Sequence, residues 1–404
     1  MGATYHVGSG LLSQNDNTTR YYPILPQMPA GVTTEDGVVE LLVRSAGSFS
    51  NASLVILTNT CSVSSVWTLR KSRAATAIAI TITSDATGTF TDTDSVSFAA
   101  TDEVDYQMVI PTEAGTNTMT WDVAGIVWTA DSATTGWLMA HGYSDAGDSA
   151  TRFFTLQGDG DTLAEANTQH YLGASYTLTN FWVDVKTNGR STTSTIQVRK
   201  NGAGVGGTLS YAAAETGLKE DTTTAALSSG DKLCGGCTTS TGGGSFVFNA
   251  CGVELSSANG DWQIGHGNAT GLSQLGGVTN NYGLSGAFDI GVAEGDIDIV
   301  PLLTFTVDQL YVYISANTIP VLATTATLRV DAANSALTVS FAAGETGVKS
   351  DVTHSVTVTN NTNAVNWQII AGGATGAVTL RSLSARGNIA AAATGNPWYA
   401  YVQQ

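Results

Sequence analysis

Three stretches of this sequence decide the fold because they share one pattern: Thr68-Leu69-Arg70-Lys71, Gln197-Val198-Arg199-Lys200 and Thr327-Leu328-Arg329-Val330. Two more markers follow each stretch in the same order, a Thr-Gly pair ending at Gly88, Gly217 and Gly347 and an aspartate four residues later at Asp92, Asp221 and Asp351. Every marker recurs at a nearly constant interval along the chain. The shared order and interval predict three diverged copies of one module of about 130 residues.

Within each copy, apolar residues alternate with small or polar ones, as in Ile78-Ala79-Ile80-Thr81-Ile82 and Leu337-Thr338-Val339-Ser340-Phe341. Side chains alternate between the two faces of a β-strand, so this period predicts strands with one buried face. Turn residues such as Asn201-Gly202 separate the runs, and no run shows a sustained helical period. We therefore predict an all-β protein of three tandem antiparallel β-sandwich domains, each jelly-roll-like, over residues 1–142, 143–267 and 268–404.

The predicted junctions between the copies also resemble each other. Trp137-Leu138-Met139-Ala140-His141-Gly142 is similar to Trp262-Gln263-Ile264-Gly265-His266-Gly267. We expect each stretch to join the last strand of one copy to the next copy. Because these linkers are short and partly apolar, neighbouring domains are predicted to pack against each other.

Composition excludes several classes of function. The 404 residues carry a net charge of −17, and only 12% of them are charged. Such an acidic chain is a poor match for nucleic acid or an anionic membrane, both of which need a surplus of Lys and Arg. No segment has the roughly 18 consecutive apolar residues that cross a bilayer, and no signal peptide is visible at Met1. We expect assembly in a cytoplasm.

The repeated charges are the first candidate site. In a chain with only 16 Lys and Arg, an arginine kept at one strand position in three copies is expected to pair with a repeated acid. We predict structural ion pairs between the repeated arginines and the repeated aspartates, which are Arg70, Arg199, Arg329, Asp92, Asp221 and Asp351. Contact across an interface between protomers is the alternative.

Cysteines, carboxylates and histidines offer weaker candidates. Cys234-Gly235-Gly236-Cys237, with Cys251 beyond it, has a spacing that suits zinc or a disulfide, but we expect small loop or buried cysteines. Carboxylates cluster at Asp159, Asp161 and Glu165 and at Glu294, Asp296 and Asp298, where solvated turns are expected and Ca²⁺ is the alternative. His6, His141 and His266 are expected to be structural, with a pH-sensitive interface contact as the alternative. We predict no catalytic centre, metal or cofactor.

The pattern resembles the tandem β-sandwich modules of tailed-bacteriophage virion proteins. The resemblance is carried by Leu69-Arg70-Lys71, by Val198-Arg199-Lys200-Asn201-Gly202 and by Thr353-His354-Ser355-Val356-Thr357-Val358. It implies a non-enzymatic virion protein that decorates or projects from a capsid or tail. The implied partners are further copies of the chain in a homo-oligomer, for which a trimer is the order expected, and other virion proteins such as the major capsid protein.

Aromatic residues on the predicted outer faces of strands are candidates for the contacts of such an assembly: Trp182, Tyr311 and Tyr313. Core aromatics that face a second sheet or the next domain are the alternative for all three. A carbohydrate-binding adhesin or receptor-binding fibre is the second functional hypothesis, since exposed aromatics stack on sugar rings. A hydrolase built on a β-sandwich is the third, and it needs two carboxylates about 5–10 Å apart in a cleft.

Overall fold

The structure is a computed structural model in which the chain divides into two compact units. It describes residues 4–9, 12–15, 17–22, 24, 31–35, 40–44, 46–113, 117–131, 136–140, 143–144, 150–156, 161–239, 243–259, 261–284, 294, 304–359, 362–388 and 398–400. The first unit comprises Met1–Ala133 with Thr394–Gln404, and the second comprises Thr134–Ala393.

The first unit contains one β-sandwich. Its strands are β1 (Thr4–Ser9), β2 (Leu12–Asn15), β3 (Thr18–Tyr22), β4 (Leu41–Leu42), β5 (Gly47–Asn59), β6 (Ser65–Lys71), β7 (Ala74–Ile82), β8 (Gly88–Phe98), β9 (Glu103–Ile110) and β10 (Thr118–Ala130). One sheet has the order β1-β10-β5-β8 and the other β3-β9-β6-β7.

The second unit begins with a sandwich of the same order that carries a few short additional strands. Its strands are β11 (Gly136–Ala140), β12 (Tyr143–Ser144), β13 (Thr151–Phe154), β14 (Asp161–Thr162), β15 (His170–Tyr171), β16 (Tyr176–Asn188), β17 (Ser194–Lys200), β18 (Ala203–Tyr211), β19 (Gly217–Asp221), β20 (Ala225–Leu227), β21 (Lys232–Thr238) and β22 (Phe246–Ser256). The sheets run β11-β22-β16-β19 and β14-β13-β21-β17-β18, and a 3₁₀ turn covers Glu165–Asn167.

The third sandwich ends the second unit. Its strands are β23 (Asp261–Leu275), β24 (Thr279–Tyr282), β25 (Phe305–Asn317), β26 (Thr324–Val330), β27 (Ala333–Phe341), β28 (Gly347–Val358), β29 (Val365–Ile370) and β30 (Ala377–Asn388). They form one sheet in the order β23-β30-β25-β28 and a second in the order β24-β29-β26-β27. Every pairing in these two sheets is antiparallel. A last strand, β31 (Trp398–Ala400), belongs to the first unit and pairs in parallel with β1.

One strand order is therefore common to all three sandwiches. Counting eight main strands in each, one sheet reads first, eighth, third, sixth, and the other reads second, seventh, fourth, fifth. Two four-stranded antiparallel sheets with this crossed order form a jelly roll. The prediction of an all-β, jelly-roll-like fold is confirmed.

Each core forms where the inner faces of two sheets meet. The ring of Tyr22 on β3 lies edge-on to Trp121 on β10, with centroids 5.3 Å apart. In the second sandwich, Phe154 on β13 contacts Phe248 on β22 at 5.4 Å. These contacts join opposite sheets, and alternation along each strand places the large apolar side chains between them.

The predicted domain boundaries need correction at both junctions. Strand β11 lies before the predicted boundary at 142, yet it pairs with β22 of the second sandwich. Strand β23 begins before the boundary at 267, yet it pairs with β30 of the third. Each Trp-containing stretch therefore begins a sandwich instead of closing one. The C-terminal residues 394–404 group with the first unit and not with the third sandwich.

The two sandwiches of the second unit pack directly against each other through polar contacts. Gln263 on β23 is fully buried, and its Oε1 accepts a hydrogen bond from the backbone N–H of Gly173 at 3.0 Å. Its Nε2 donates to the carbonyl of Tyr171 at 2.9 Å. A Cβ at Gly173 would lie only 2.8 Å from the Cβ of Arg386, so glycine permits this close approach.

Candidate functional site

The repeated arginines each form the centre of a clamp, which is the ion pair between that arginine and a glutamate. Arg70 donates from Nε and Nη2 to the two carboxylate oxygens of Glu35, at 3.0 and 2.6 Å. Arg329 binds Glu294 in the same forked way, at 2.7 and 2.8 Å. Paired hydrogen bonds between a guanidinium and a carboxylate are strong and fix orientation. The hydrogen bond from Arg329 lowers the pKa of Glu294.

The second sandwich holds its arginine in an equivalent pair. Arg199 Nη2 lies 3.0 Å from Glu165 Oε2. The three glutamates, Glu35, Glu165 and Glu294, recur at the same interval as the arginines. The predicted pairing of arginine with Asp92, Asp221 and Asp351 is therefore wrong in its partner, because a glutamate upstream of each arginine occupies that place.

Each arginine also holds the tight turn that follows its own strand. Nη2 of Arg70, Arg199 and Arg329 donates to the carbonyl three residues later, on Arg73, Gly202 and Ala332. Both central residues of each turn have positive φ, for example 53° at Asn201 and 89° at Gly202. Two such residues match the turn type whose twist fits a two-residue hairpin.

The clamp therefore joins two parts of the jelly roll. Its glutamate lies in the long connection between the second and third main strands, and its arginine lies on the outer face of the fourth. Leu69 is fully buried in the core, and alternation turns its neighbour Arg70 to the opposite face. The ion pair fixes the connection on that outer face.

The repeated aspartates have a different task, which is to join the edges of the two sheets. Asp92 on β8 accepts a hydrogen bond from the backbone N–H of Ala79 on β7, at 2.7 Å. Asp351 on β28 accepts from Thr338 on β27 at 3.2 Å and from Thr353 at 3.1 Å. Asp221 accepts from the backbone of Thr223 at 3.1 Å and from the backbone of Gly207 on β18. In the first sandwich β8 and β7 belong to opposite sheets, and in the third sandwich β28 and β27 do so as well.

A fourth repeated residue, which the sequence pattern did not lead us to predict, is an asparagine. Asn59, Asn188 and Asn317 end the third main strand of each sandwich and recur at the interval of the arginines. Asn188 donates to the carbonyls of Ala212 and Glu215 at 2.8 and 2.9 Å and accepts from the N–H of Arg190 at 3.0 Å. Asn317 binds Ala342, Glu345 and Ile319 in the same way. The regular interval is the signal that would have found this asparagine.

Of the two placements that we expected for the cysteines, loop or buried, the structure shows the buried one, and Cys234 and Cys237 lie in a strand. Cys234 and Cys237 are on β21, where a separation of three residues places them on opposite faces. Both are buried and reduced, as are Cys61 and Cys251. Burial raises the pKa of the Cys234 and Cys237 thiols to about 12, so neither is an activated thiolate.

The carboxylate clusters are divided among ion pairs. Asp161 binds Arg152 at 2.9 Å, and Glu165 and Glu294 belong to the clamps. Asp159, Asp296 and Asp298 lie outside the described residues. Within the part of the chain that the structure describes, no group of three or more His, Cys, Asp or Glu side chains is arranged to hold a metal ion.

The histidines have separate surroundings. His266 is fully buried on β23, and its Nε2 lies 2.6 Å from the carbonyl oxygen of Gly283. His6 lies on β1, but its side chain is outside the described residues, as is the whole of His141. His354 is half exposed, and its Nδ1 lies 2.8 Å from Asp351 Oδ2.

The three candidate interface aromatics divide into two kinds. Trp182 is only 1% exposed, so it is a buried side chain and not a surface contact. Tyr311 stacks on Tyr171 of the neighbouring sandwich, with ring centroids 5.7 Å apart and planes 12° from parallel. Its partner is thus the preceding sandwich of the same chain. Tyr313 is partly exposed on the same strand.

An open groove lies between β27 and β28 of the third sandwich. Its volume is about 380 Å³, and its lining is largely hydroxyl-bearing and charged: Thr338, Val339, Ser340, Lys349, Ser350, Asp351, Val352, Thr353 and His354. Lys349 pairs with Glu345 at 2.7 Å at one end. No Trp, Tyr or Phe ring belongs to this lining.

No helix among the described residues has the length and apolar character of a membrane span. No family model matches the sequence, and no curated protein matches it. Among solved structures, one similar chain comes from work described as "The Triple Jelly Roll Fold and Turret Assembly in an Archaeal Virus"; it is 13% identical, with 98% of this chain and 92% of that chain covered and a TM-score of 0.17. A second, from "Life in the extremes: atomic structure of Sulfolobus Turreted Icosahedral Virus", is 11% identical over 98% of this chain and 97% of that chain, with a TM-score of 0.16. Likeness at these TM-scores carries no argument, so the fold rests on the strand order of the chain itself.

Proposed function

We propose that this chain is a non-enzymatic structural protein of a virus particle, which coats or projects from a capsid or tail. The observation that supports the proposal is one jelly-roll strand order occurring three times in a single polypeptide. Jelly rolls recur in viral capsids, although the fold alone also serves lectins and enzymes. A structural role is favoured over a lectin or an enzyme because the repeated polar residues hold the sandwiches together.

Those repeated residues all serve the architecture of the sandwiches. The arginines fix a connection, the aspartates join sheet edges, and the asparagines hold turns. Buried polar groups that are fully engaged in hydrogen bonds specify one geometry. A protein whose task is to present rigid faces to its neighbours needs this kind of repeated reinforcement.

The partners that we propose are further copies of this chain and other virion proteins such as the major capsid protein. Closed symmetry is the rule for homo-oligomers, and a trimer is the arrangement proposed here. The net charge of −17 would keep unassembled copies soluble until they meet a partner.

Immunogold labelling tests the location. Antibodies against the recombinant chain are applied to intact particles from the cells that produce it, and sedimentation velocity gives the mass of the purified chain. We expect label on the particle surface and a single oligomeric species. Label confined to the soluble fraction, with a chain that stays monomeric at every concentration tested, would count against the proposal.

The carbohydrate-binding alternative has lost much of its basis. Trp182 is buried, Tyr311 is stacked against Tyr171, and the groove beside Asp351 has no Trp, Tyr or Phe ring in its lining. A glycan array with the intact chain and with Tyr313→Ala separates the two hypotheses. Binding that Tyr313→Ala abolishes would favour the adhesin.

A further inference from the structure

One position in the arginine clamp differs among the three sandwiches. The residue paired with the arginine on the adjacent seventh strand is Asp105, Cys234 or Asn366. In the third clamp, Asn366 Nδ2 donates to Glu294 Oε1 at 3.0 Å. In the second, the Cys234 thiol donates to Glu165 Oε1 at 3.7 Å. In both cases a neutral group gives a hydrogen to the clamp glutamate.

The first clamp has a carboxyl group at this position. Asp105 is only 1% exposed, and its Oδ2 has no hydrogen-bond partner among the described residues. Arg70 directs Nε and Nη2 to Glu35. An ionised carboxylate can only accept hydrogen bonds, whereas a protonated one donates. Only the neutral acid can do for Glu35 what Cys234 and Asn366 do for their glutamates.

The charges around Asp105 come from every neighbouring element. Glu35 and Glu40 lie on the connection that covers the sheet, Glu103 lies on the same strand, and Arg70 lies on the adjacent strand. Arg73 in the hairpin turn binds Glu40 at 2.7 Å, which neutralises that carboxylate in part. Burial, followed by Glu35 and Glu40, raises the pKa of Asp105 to about 8, against the lowering effect of Arg70.

We propose that the first clamp depends on a proton. The clamp is closed while Asp105 is a neutral acid that donates its hydrogen to Glu35, and it loosens when Asp105 loses that proton to solvent. Ionisation of Asp105 places a second carboxylate, beside that of Glu35, against the single guanidinium of Arg70, and like charges at close range disfavour each other. The connection that carries Glu35 and Glu40 is the part that is released. The second and third clamps lack this response because their donors stay neutral.

The sign of the pH dependence follows from the raised pKa. Between the unfolded value of about 3.9 and the folded value of about 8, the folded chain binds the extra proton, so stability falls as pH rises. The contribution is fully present below about pH 4 and is lost as pH rises through about 8. Loosening should therefore be seen in mildly alkaline solution.

Reciprocal substitutions in the full-length chain test the proposal. Hydrogen–deuterium exchange is followed in peptides that contain residues 31–35 and Glu294, at pH 6 and pH 9, with correction for the intrinsic exchange rate. In the native chain, the peptide with residues 31–35 should lose about tenfold in protection at pH 9, one pH unit above the pKa. Asp105→Asn should remove this loss, and Asn366→Asp should create it around Glu294.

Infrared difference spectra give a direct second readout. The native spectrum minus that of Asp105→Asn should contain one protonated carboxyl band that disappears between pH 7 and pH 9. If Asp105→Asn does not fold, Asp105→Cys supplies the donor of the second clamp and serves in its place. An ionised Asp105 at pH 6, or an unchanged loss of protection in the Asn or Cys variant, would overturn the proposal.

Discussion

On the seventh strand of the second sandwich, Gly235 faces the core, whereas Trp367 occupies the equivalent position of the third. Gly235 pairs with Phe154, and Trp367 pairs with Tyr282. A Cβ on Gly235 would lie 2.1 Å from the Phe154 ring, so that ring occupies the space above the glycine. Two diverged copies thus keep one strand order while filling the same part of the core from different strands.

The comparison shows which features of the repeat are constrained. The arginine, its glutamate and the strand-end asparagine keep their residue types because each satisfies specific buried polar groups. A core position needs only to be filled, and a large side chain on a neighbouring strand can fill it. Cores tolerate this exchange of large and small side chains between strands when the total side-chain volume is kept. Sequence identity therefore persists where polar groups must match.

The largest effect should come from emptying the third core. Trp367→Ala removes a fully buried ring and its hydrogen bond from Nε1 to the carbonyl of Leu284 at 3.0 Å. We expect a loss of about 3–5 kcal/mol in the free energy of unfolding, as for other buried aromatics. Urea unfolding followed by circular dichroism measures it. Trp367→Phe should lose less, and a loss below about 1 kcal/mol for the alanine variant would contradict the packing described.

The reverse change should damage the second core less severely. Gly235→Ala forces a methyl group toward Phe154, and overpacking of this kind costs about 1–3 kcal/mol. Combining it with Phe154→Leu should recover part of the loss, since the smaller side chain makes room. Urea unfolding of the two single variants and the double variant gives the coupling. Additive losses would mean that Phe154 is not what excludes a side chain at position 235.

A smaller difference concerns the repeated aspartates. Burial raises the pKa of Asp351, but hydrogen bonds from His354 and from the backbone of Thr353 and Thr338 lower it to about 2. Stability from Asp351 is therefore present above about pH 4 and lost as pH falls toward 2. Asp221 has Thr224 where Asp351 has His354.

We expect His354→Thr to make Asp351 resemble Asp221. Loss of one hydrogen-bond partner should raise the pKa of Asp351 toward its ordinary value, so acid unfolding should begin at a higher pH. Carboxyl carbon NMR titration of the intact chain measures the shift, with Thr224→His as the reciprocal variant. An unchanged titration of Asp351 in His354→Thr would show that the backbone donors alone set the pKa.

Much of the fold could be predicted from two features of the sequence. The alternation of apolar and polar residues marks each strand within a few residues, and the recurrence of markers about every 130 residues adds up along the chain. The strands around Arg70, Arg199 and Arg329 lie where the alternation indicates. The junctions were placed wrongly because a strand sequence such as that near Trp262 does not say which sheet it joins. That assignment depends on pairing with β30, which lies at the far end of the third sandwich in sequence.

The site was predicted only in part for the same reason. The repeat identified the arginines and the aspartates as special. The aspartates follow each arginine at a constant distance in the sequence, and this suggested them, wrongly, as the partners of the arginines. Glu35, Glu165 and Glu294 repeat just as regularly, yet they lie in connections whose paths over the sheet no alternation pattern defines. Trp182 was misjudged because alternation predicts one wet face, whereas both faces of β16 are covered at that point.

The smallest predicted effect concerns the residues that surround the arginine in the second and third clamps. In the second sandwich, Cζ of Arg199 lies 5.3 Å from the centroid of the Phe153 ring. In the third, the position of Phe153 is taken by Asn281, which accepts a hydrogen bond from Gln368 at 3.0 Å, while Arg329 gains a bond to Asn334 at 2.6 Å. The same cation is thus supported by a ring face in one copy and by an amide in the other.

Phe153→Leu keeps most of the apolar volume and removes the ring face. At a partly exposed site we expect a loss of about 0.5–1 kcal/mol, the usual value for a cation over an aromatic ring. A double-mutant cycle with Arg199→Met isolates that part, because changes in packing alone cancel in the coupling term. A coupling near zero would mean that Glu165 holds the guanidinium without help, and the second and third clamps would then differ in sequence but not in what stabilises them.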